Sequence, residues 1–427
     1  MAYQSPISPG VSWYESSVGE RPEYPALDGS QTCDVLIIGG GYTGVSAAYH
    51  LAAKGLSVVL LEQCRLGDGA SGRNGGQLNT GQRGWVEDFE AQFGFERSKA
   101  LFDMAEDAKA HLLGFAKRHT ISIDYMNGQI DGVHAAKYLK DYQAHPEQMA
   151  RYGYTHVSYL TRQEVSQAIG TERYLGGIRD TGTGHIHPLK LLVGTGQAAA
   201  LSGAKIYENT KVTSLTTNGG KVIATTKTGT ITAGKALLAV NAYGGMVEPV
   251  SAAHVMPIGS FIGATEQLGK DSPVIPGGES VSDSRFVVRY FRKTSDGRLL
   301  FGGREIYTAN SPREIERGVR KQVSEIYPAL ADVKFTHVWG GYVGITMPRH
   351  PFVRDVMPNV TSIGGFSGHG VMLSNYTGRL YAETLTGNDD KLRLLRDLKI
   401  PPFPGGRTFR APLLFMALNW YALRDRF

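Results

Sequence analysis

Three glycines at a fixed spacing, Gly39-x-Gly41-x-x-Gly44, are the first residues whose types suggest chemistry. They follow the apolar run from Cys33 to Ile38 and precede an Ala- and Leu-rich stretch that stops at Gly55. In this order Gly39 permits a tight turn, Gly41 lets backbone approach a pyrophosphate, and Gly44 lets a helix pack closely on a strand. Tyr42 and Thr43 lie between the second and third glycines, where the helix starts and its N-terminal N–H groups offer partial positive charge to phosphate. A second apolar strand, Ser57–Leu61, ends in Glu62, 18 residues past Gly44, followed by Gln63. A carboxylate there can accept both ribose hydroxyls and disfavours a 2′-phosphate, which leaves FAD or NAD. The plain alternative is a glycine-rich turn without a ligand, but here strand, helix and acid are all in place.

The loop after the acid separates the two cofactors. Gly67 to Gln77 holds five glycines in eleven residues. An extended FAD needs backbone donors beyond the first turn, and NAD does not. Gly69, Ala70, Ser71, Gly75 and Gly76 present such donors, with Arg73 and Asn74 as polar anchors. A flexible surface loop is the alternative reading. A third glycine cluster, Gly364 to Met372, joins a strand to a helix starting near Gly370. Gly365, Ser367, Gly368, His369, Gly370 and Val371 belong to it. A helix N-terminus there would stabilise the negative charge of a reduced flavin, and a tight turn is the bland reading.

His369 is expected to touch cofactor or substrate. His185 and His187 alternate before Pro188, but no further ligand lies nearby, so structural histidines are expected and no metal. Cys33 and Cys64, the two cysteines of the chain, are expected at opposite strand ends as inert thiols.

The elements that must carry these residues alternate strand, helix and strand over 33–62, a right-handed crossover. A helical period runs from 86 to about 120, Thr161 and Glu164 read as a capping box, and 188–202 is a further helix. Segment 205–240 reads as β-ribbons, Phe286–Arg292 and Arg298–Gly303 as strands, and 311–327 as a helix capped by Ser311. The chain has 427 residues and a net charge of +6, too long for one small core and too mildly basic to suggest nucleic acid. No apolar run is long enough to span a membrane, and Met1 to Ser17 lacks a secretory pattern, so a cytoplasmic setting is expected.

With these motifs in view, GGGYTG, LLE and GASGRNGGQ resemble the FAD-dependent D-amino-acid-oxidase-like (DAO) superfamily of amine and amino-acid oxidoreductases. GHIHPLKL (184–191), RFVVRYFRKTSDGRLLFGG (285–303), GFSGHGV and the tail extend the likeness along nearly the whole chain. The resemblance implies an α/β (α+β) fold: a Rossmann-like FAD-binding domain and a second, β-sheet-based substrate domain. The expected boundaries are an arm at 1–31, a discontinuous FAD domain at 32–85, 150–245 and 335–390, a substrate domain at 86–149 and 246–334, and a tail at 391–427. It further implies that Val212 lies on the strand by the adenine, and that Ala239 and Asn241 end a strand beside the cofactor. Some relatives attach FAD through a cysteine in the C-terminal half; this chain has none there, so non-covalent FAD is expected.

The activity implied is oxidation of an amine, with hydride passing to flavin and the imine hydrolysing to an aldehyde. Gamma-glutamylputrescine or a related N-substituted amine is the expected substrate, and O2 or another acceptor takes the electrons. A D-amino-acid or sarcosine-type oxidase and a non-catalytic FAD-binding protein stay open as alternatives. Arg289, Arg292 and Arg304 are basic candidates for a substrate carboxylate, with Arg292, beside Tyr290 and Phe291, the favoured one. Solvated edge arginines are the plain alternative.

Overall fold

The computed structural model describes residues 3–244, 247–269, 271–285, 288–305 (backbone alone at 304 and 305) and 311–404. The side chain of Arg304 and the tail from 405 onward therefore lie outside the described residues.

Two sheets organise the chain. The first has eight strands, with Gln31–Ile38 at its centre between Thr230–Leu238 and Val58–Leu61. These pairs are parallel, as are the flanking strands Val360–Gly364 and Lys205–Tyr207. Parallel strands need covered faces, and the run from Val35 to Ile38 is buried throughout. Helices Tyr42–Ala52, Pro188–Leu201 and Gly370–Thr384 supply one cover; Val45, Leu51, Leu191, Leu192, Met372 and Leu380 share a core with Ile37 and Leu60.

The second sheet has nine strands and is mostly antiparallel. Its long members, Met256–Gln267 and Phe335–Ile345, pair along most of their length. Helix Pro312–Ile326 covers its back face, setting Ile315, Val319 and Val323 among Phe261, Phe291 and Phe301.

Several local expectations match: Thr161 forms the reciprocal capping box with Glu164, Ser311 caps its helix, and Asn218 begins the hairpin turn between Ser214–Asn218 and Lys221–Thr225. Others change. The helical pattern from 86 breaks at Gly94, whose φ of +75° ends Val86–Phe93 and starts Phe95–Arg118. The strand expected over Phe286–Arg292 runs from Tyr290 to Lys293; residues 286–287 lie outside the described part.

The arm at 1–31 is built into the fold. Gly10–Val11 adds an edge strand to the nine-stranded sheet, and helix Trp13–Ser17 buries Trp13 and Tyr14. The expected domain boundaries also shift. Strands Val157–Leu160, Gly177–His185 and Phe335–Ile345 belong to the nine-stranded sheet, not to the cofactor half. Helix Phe95–Arg118, expected with the substrate half, packs on Gly370–Thr384 in the first core. Strand partners are set by long-range pairing, which local periodicity does not encode.

Candidate cofactor and substrate site

Two cavities meet at Ala70, between the sheets. The first lies at the C-terminal ends of the central parallel strands, where open α/β sheets hold ligands. Gly39, Gly41, Glu62, Gln63, Gly69, Ser71, Val212, Ala239 and Asn241 all line it, with Gly40, Lys211 and Tyr243.

The local geometry shows why these types stand here. A Cβ on Gly44 would sit 1.9 Å from the Gly39 carbonyl oxygen, so only glycine lets the helix start this close to the strand. The helix begins after Gly41, which offers no side-chain cap, so the amides of its first turn beyond Tyr42 are open to a ligand. The Tyr42 amide donates to Ser71 Oγ (3.0 Å), which ties the second glycine loop to this helix end. Tyr42 itself turns away and donates its hydroxyl to the Pro188 carbonyl, and Thr43 is buried in the same first turn. The Glu62 carboxylate accepts from the amides of Gly40 (2.7 Å) and Cys64 (3.0 Å). Burial pushes this carboxyl up to about 7, against the pull of those two amides.

The second cavity lies between the glycine loop and the nine-stranded sheet. Arg73, Asn74, Gly75, Gly76, Ser367, Gly368 and Val371 border it, opposite Ser260, Ser282, Tyr290 and Tyr342. Asn74 is a brace: its Nδ2 donates to the carbonyls of Ala70 and Ser71, and its Oδ1 accepts from the Gly76 amide. The Arg73 guanidinium donates to the carbonyls of Gly340, Pro9 and Gly10, stapling loop, sheet and arm together. Gly365 and Gly370 sit behind the wall, where a Cβ would strike Thr346 and crowd Phe366. The Gly365 amide donates to Asn241 Oδ1 (2.8 Å), joining two strand ends. The helix from Gly370 has no side-chain cap from His369.

Two residues expected at the reacting centre, Arg292 and His369, turn their side chains to backbone carbonyls. Arg292 does not border the second cavity. Its buried guanidinium donates to the carbonyls of Gly75 (2.7 Å) and Ile186 (3.1 Å) and to the Tyr14 hydroxyl (3.1 Å). Tyr290, two residues earlier and so on the same face of the strand, borders the cavity at Gly75, whereas Arg292 meets the next turn of the loop at Gly76 and is used up on buried backbone. His369 contributes loop backbone, but its ring points elsewhere: Nε2 donates to the Gly81 carbonyl (2.9 Å). Burial first, and Arg83 second, hold its pKa down to about 3, so the ring is neutral. Arg289 pairs with Glu325. His185 and His187 diverge, one donating to the Gly278 carbonyl and the other capping the helix at Lys190.

One segment carried no motif. Residues 79–83 form a strap that brings Asn79 and Arg83 to the second cavity, beside Gln77. Thr80 donates to Asp180 (2.6 Å), the Gly81 amide to Glu106 (3.0 Å), and Gln82 to the Leu101 carbonyl (2.8 Å). Beneath it, buried Lys109 reaches Thr80 Oγ1 and Glu106, both at 2.8 Å.

The residues present suit an elongated dinucleotide: a helix end without a side-chain cap and the Glu62 carboxylate in one cavity, and a second helix end by the next. The family model of FAD dependent oxidoreductases (DAO) matches residues 34–384, and the chain belongs to that family. It is thus an FAD-dependent oxidoreductase, and the residues of the two cavities are those that could hold the cofactor. Across its full length it is 59% identical to the "Probable oxidoreductase OrdL" of Rhizobium meliloti (strain 1021), covering 100% of both chains. It is 37% identical to the "Gamma-glutamylputrescine oxidoreductase" of Escherichia coli (strain K12), covering 97% of this chain and 98% of that one. The crystal structure of glycine oxidase from Geobacillus kaustophilus shares the fold, with a TM-score of 0.71 at 21% identity over 83% of this chain and 95% of that one. Among the described residues no helix is long and apolar enough to cross a membrane.

Proposed function

We propose that this oxidoreductase acts on an amine at the carbon beside nitrogen, with gamma-glutamylputrescine or a closely related N-substituted amine as substrate. The observation that carries this reading is the 37% identity to the gamma-glutamylputrescine oxidoreductase along 97% of the chain. FAD, when bound, supplies the two-electron acceptor for the hydride from that carbon.

The residues of the second cavity suit the task. Its border holds Arg73 and Arg83 but, among the described residues, no Asp, Glu, Lys or His. Two guanidiniums and no carboxylate disfavour an ammonium and favour the neutral amine, whose lone pair the C–H cleavage needs. Val288, Tyr290, Tyr342 and Val371 give the border apolar surface for a flexible methylene chain. The imine, once released, takes up water and gives an aldehyde and ammonia, or an amine where the nitrogen is substituted.

An anaerobic screen of polyamines, their gamma-glutamyl amides and amino acids, read by bleaching of the flavin absorbance, tests the reading. Reduction by gamma-glutamylputrescine is expected. Reduction by an amino acid or sarcosine alone would replace this reading with an amino-acid oxidase, and no reduction by any amine would remove it.

A further inference from the structure

We propose that Arg83 is the specificity-determining residue of the second cavity and binds a substrate carboxylate carried on the gamma-glutamyl end of the amine. The proposal rests on the amine reading above, which leaves open how the non-reacting end is held.

Of the two arginines on the cavity border, Arg73 directs its guanidinium to three carbonyls of the arm and sheet. Arg83 directs its own toward the loop that faces the ring: a Cβ on Gly368 would lie 4.0 Å from Arg83 Nη1. Its charge also acts on the neutral His369 ring and on Asp131, one strand away from Ser282. The guanidinium thus stands by the Gly368 loop on the border of the cavity. Gln77 and Ser282 line the same cavity and hydrogen-bond each other (3.1 Å), which adds a polar edge.

Position alone would not make a surface-loop arginine selective. The strap supplies the rest. Every residue from Asn79 to Gln82 is tied down: to strand Gly177–His185 through Thr183 and Asp180, to helix Phe95–Arg118 through Glu106 and Leu101, and to the glycine loop through His369. An arginine on a loop held this way loses little freedom on binding, and its planar fork matches a carboxylate bidentately. A gamma-glutamyl amide carries an α-carboxylate at the far end of its chain, and putrescine carries none. His369 is then a positioning residue, holding the strap by the Gly81 carbonyl.

The test uses the FAD-loaded protein and gamma-glutamylbutylamide, which keeps the head group but lacks the oxidisable terminal amine. Calorimetry is expected to show binding by the parent, and at least tenfold weaker binding when the α-carboxylate of the probe is replaced by a carboxamide. Equal binding of acid and carboxamide overturns the proposal without any variant. Arg83→Gln is expected to weaken binding of the acid probe tenfold or more, with Arg83→Lys between the two. It should also lower the ratio of kcat/KM for gamma-glutamylputrescine over putrescine at least tenfold, mainly through KM. An unchanged ratio in a variant with full FAD content overturns the proposal. Preferential binding of glycine or sarcosine over the gamma-glutamyl probe, lost in Arg83→Gln, places the carboxylate beside the reacting carbon instead and overturns the distal assignment. If the parent binds the probe through Arg83 yet leaves gamma-glutamylputrescine unoxidised, the amine reading fails and the anchor stands.

Discussion

Glu62 is where cofactor affinity and solution pH meet. In the absence of FAD its buried carboxyl titrates near 7 instead of 4.5. The pKa is raised, so the neutral form favours the fold. The contribution is full below about 4.5 and is lost as pH rises through 7. The whole effect is at most about 3.5 kcal/mol, since each unit is worth about 1.4. FAD-free protein should therefore melt at a lower temperature at pH 8 than at pH 5.5, and Glu62→Gln should flatten that slope in a thermal-shift series. Ribose hydroxyls need the ionised acceptor, so FAD binding should release a proton below pH 7, and affinity should fall as the solution is acidified from 7 to 5. A flat affinity over that range would show that the ribose does not meet Glu62. Arg292 leads to a different expectation. Removing its guanidinium takes the donor from the Gly75 and Ile186 carbonyls, each costing about 1–3 kcal/mol, while the Tyr14 hydroxyl keeps its bond to the Asn74 carbonyl. Arg292→Met should thus lower the melting temperature and FAD content without changing the preference between amines.

Helix Tyr42–Ala52 is held at two close approaches, both made by glycine. One is Gly44 against the Gly39 carbonyl. The other is Gly378 on Gly370–Thr384, where a Cβ would lie 2.4 Å from the Thr43 carbonyl oxygen. Alanine at either position must push a helix away, at a cost of about 1–3 kcal/mol. Gly44→Ala and Gly378→Ala should both lower stability, measured by chemical denaturation, and both should lose FAD, because the shifted helix end no longer meets the phosphates. Gly378→Ala is the more telling of the two, since it lies outside every cofactor motif. The strap offers a milder case. His369→Ala removes one of its ties and leaves the Gly81 carbonyl without its donor. Flavin reduction at saturating amine should change less than KM does, and no ionisation of His369 should appear between pH 5 and 9, because the ring is already neutral.

The molecule as an assembly of two sheets explains how an FAD-sized groove exists at all. The parallel sheet ends in glycine turns, the antiparallel sheet stands over them, and the arm closes the side through Arg73 and Tyr14. Both cysteines are reduced thiols, Cys33 within the central strand and Cys64 just after the next. Burial raises Cys33 to about 11 and Cys64 to about 12, which leaves little thiolate at neutral pH. Acid precipitation of the yellow protein should therefore release intact FAD to the supernatant. Flavin retained in the pellet would point to a covalent link through another side chain.

The features legible in the amino-acid sequence are those that act over a few residues. A strand, a glycine turn, a helix and an acid 18 positions on are a local arrangement with one purpose, so the dinucleotide cavity was readable from Gly39 to Glu62. The capping box at Thr161 and the cap at Ser311 were readable for the same reason. Side-chain direction was not. Arg292 and Tyr290 sit two residues apart, and only the packing of Gly75 and Tyr14 decides that the tyrosine borders the cavity while the arginine braces the loop. His369 keeps its place in the glycine loop but gives its ring to Gly81, a residue 288 positions away. Arg83 shows the converse. Nothing near it in the chain marks it, because the groups that hold its strap come from Glu106, Lys109, Asp180 and His369. Local chemistry thus determined the cofactor. The orientation of the substrate-facing groups was decided by contacts between segments far apart in the chain, where burial and hydrogen-bond satisfaction choose one direction for each side chain.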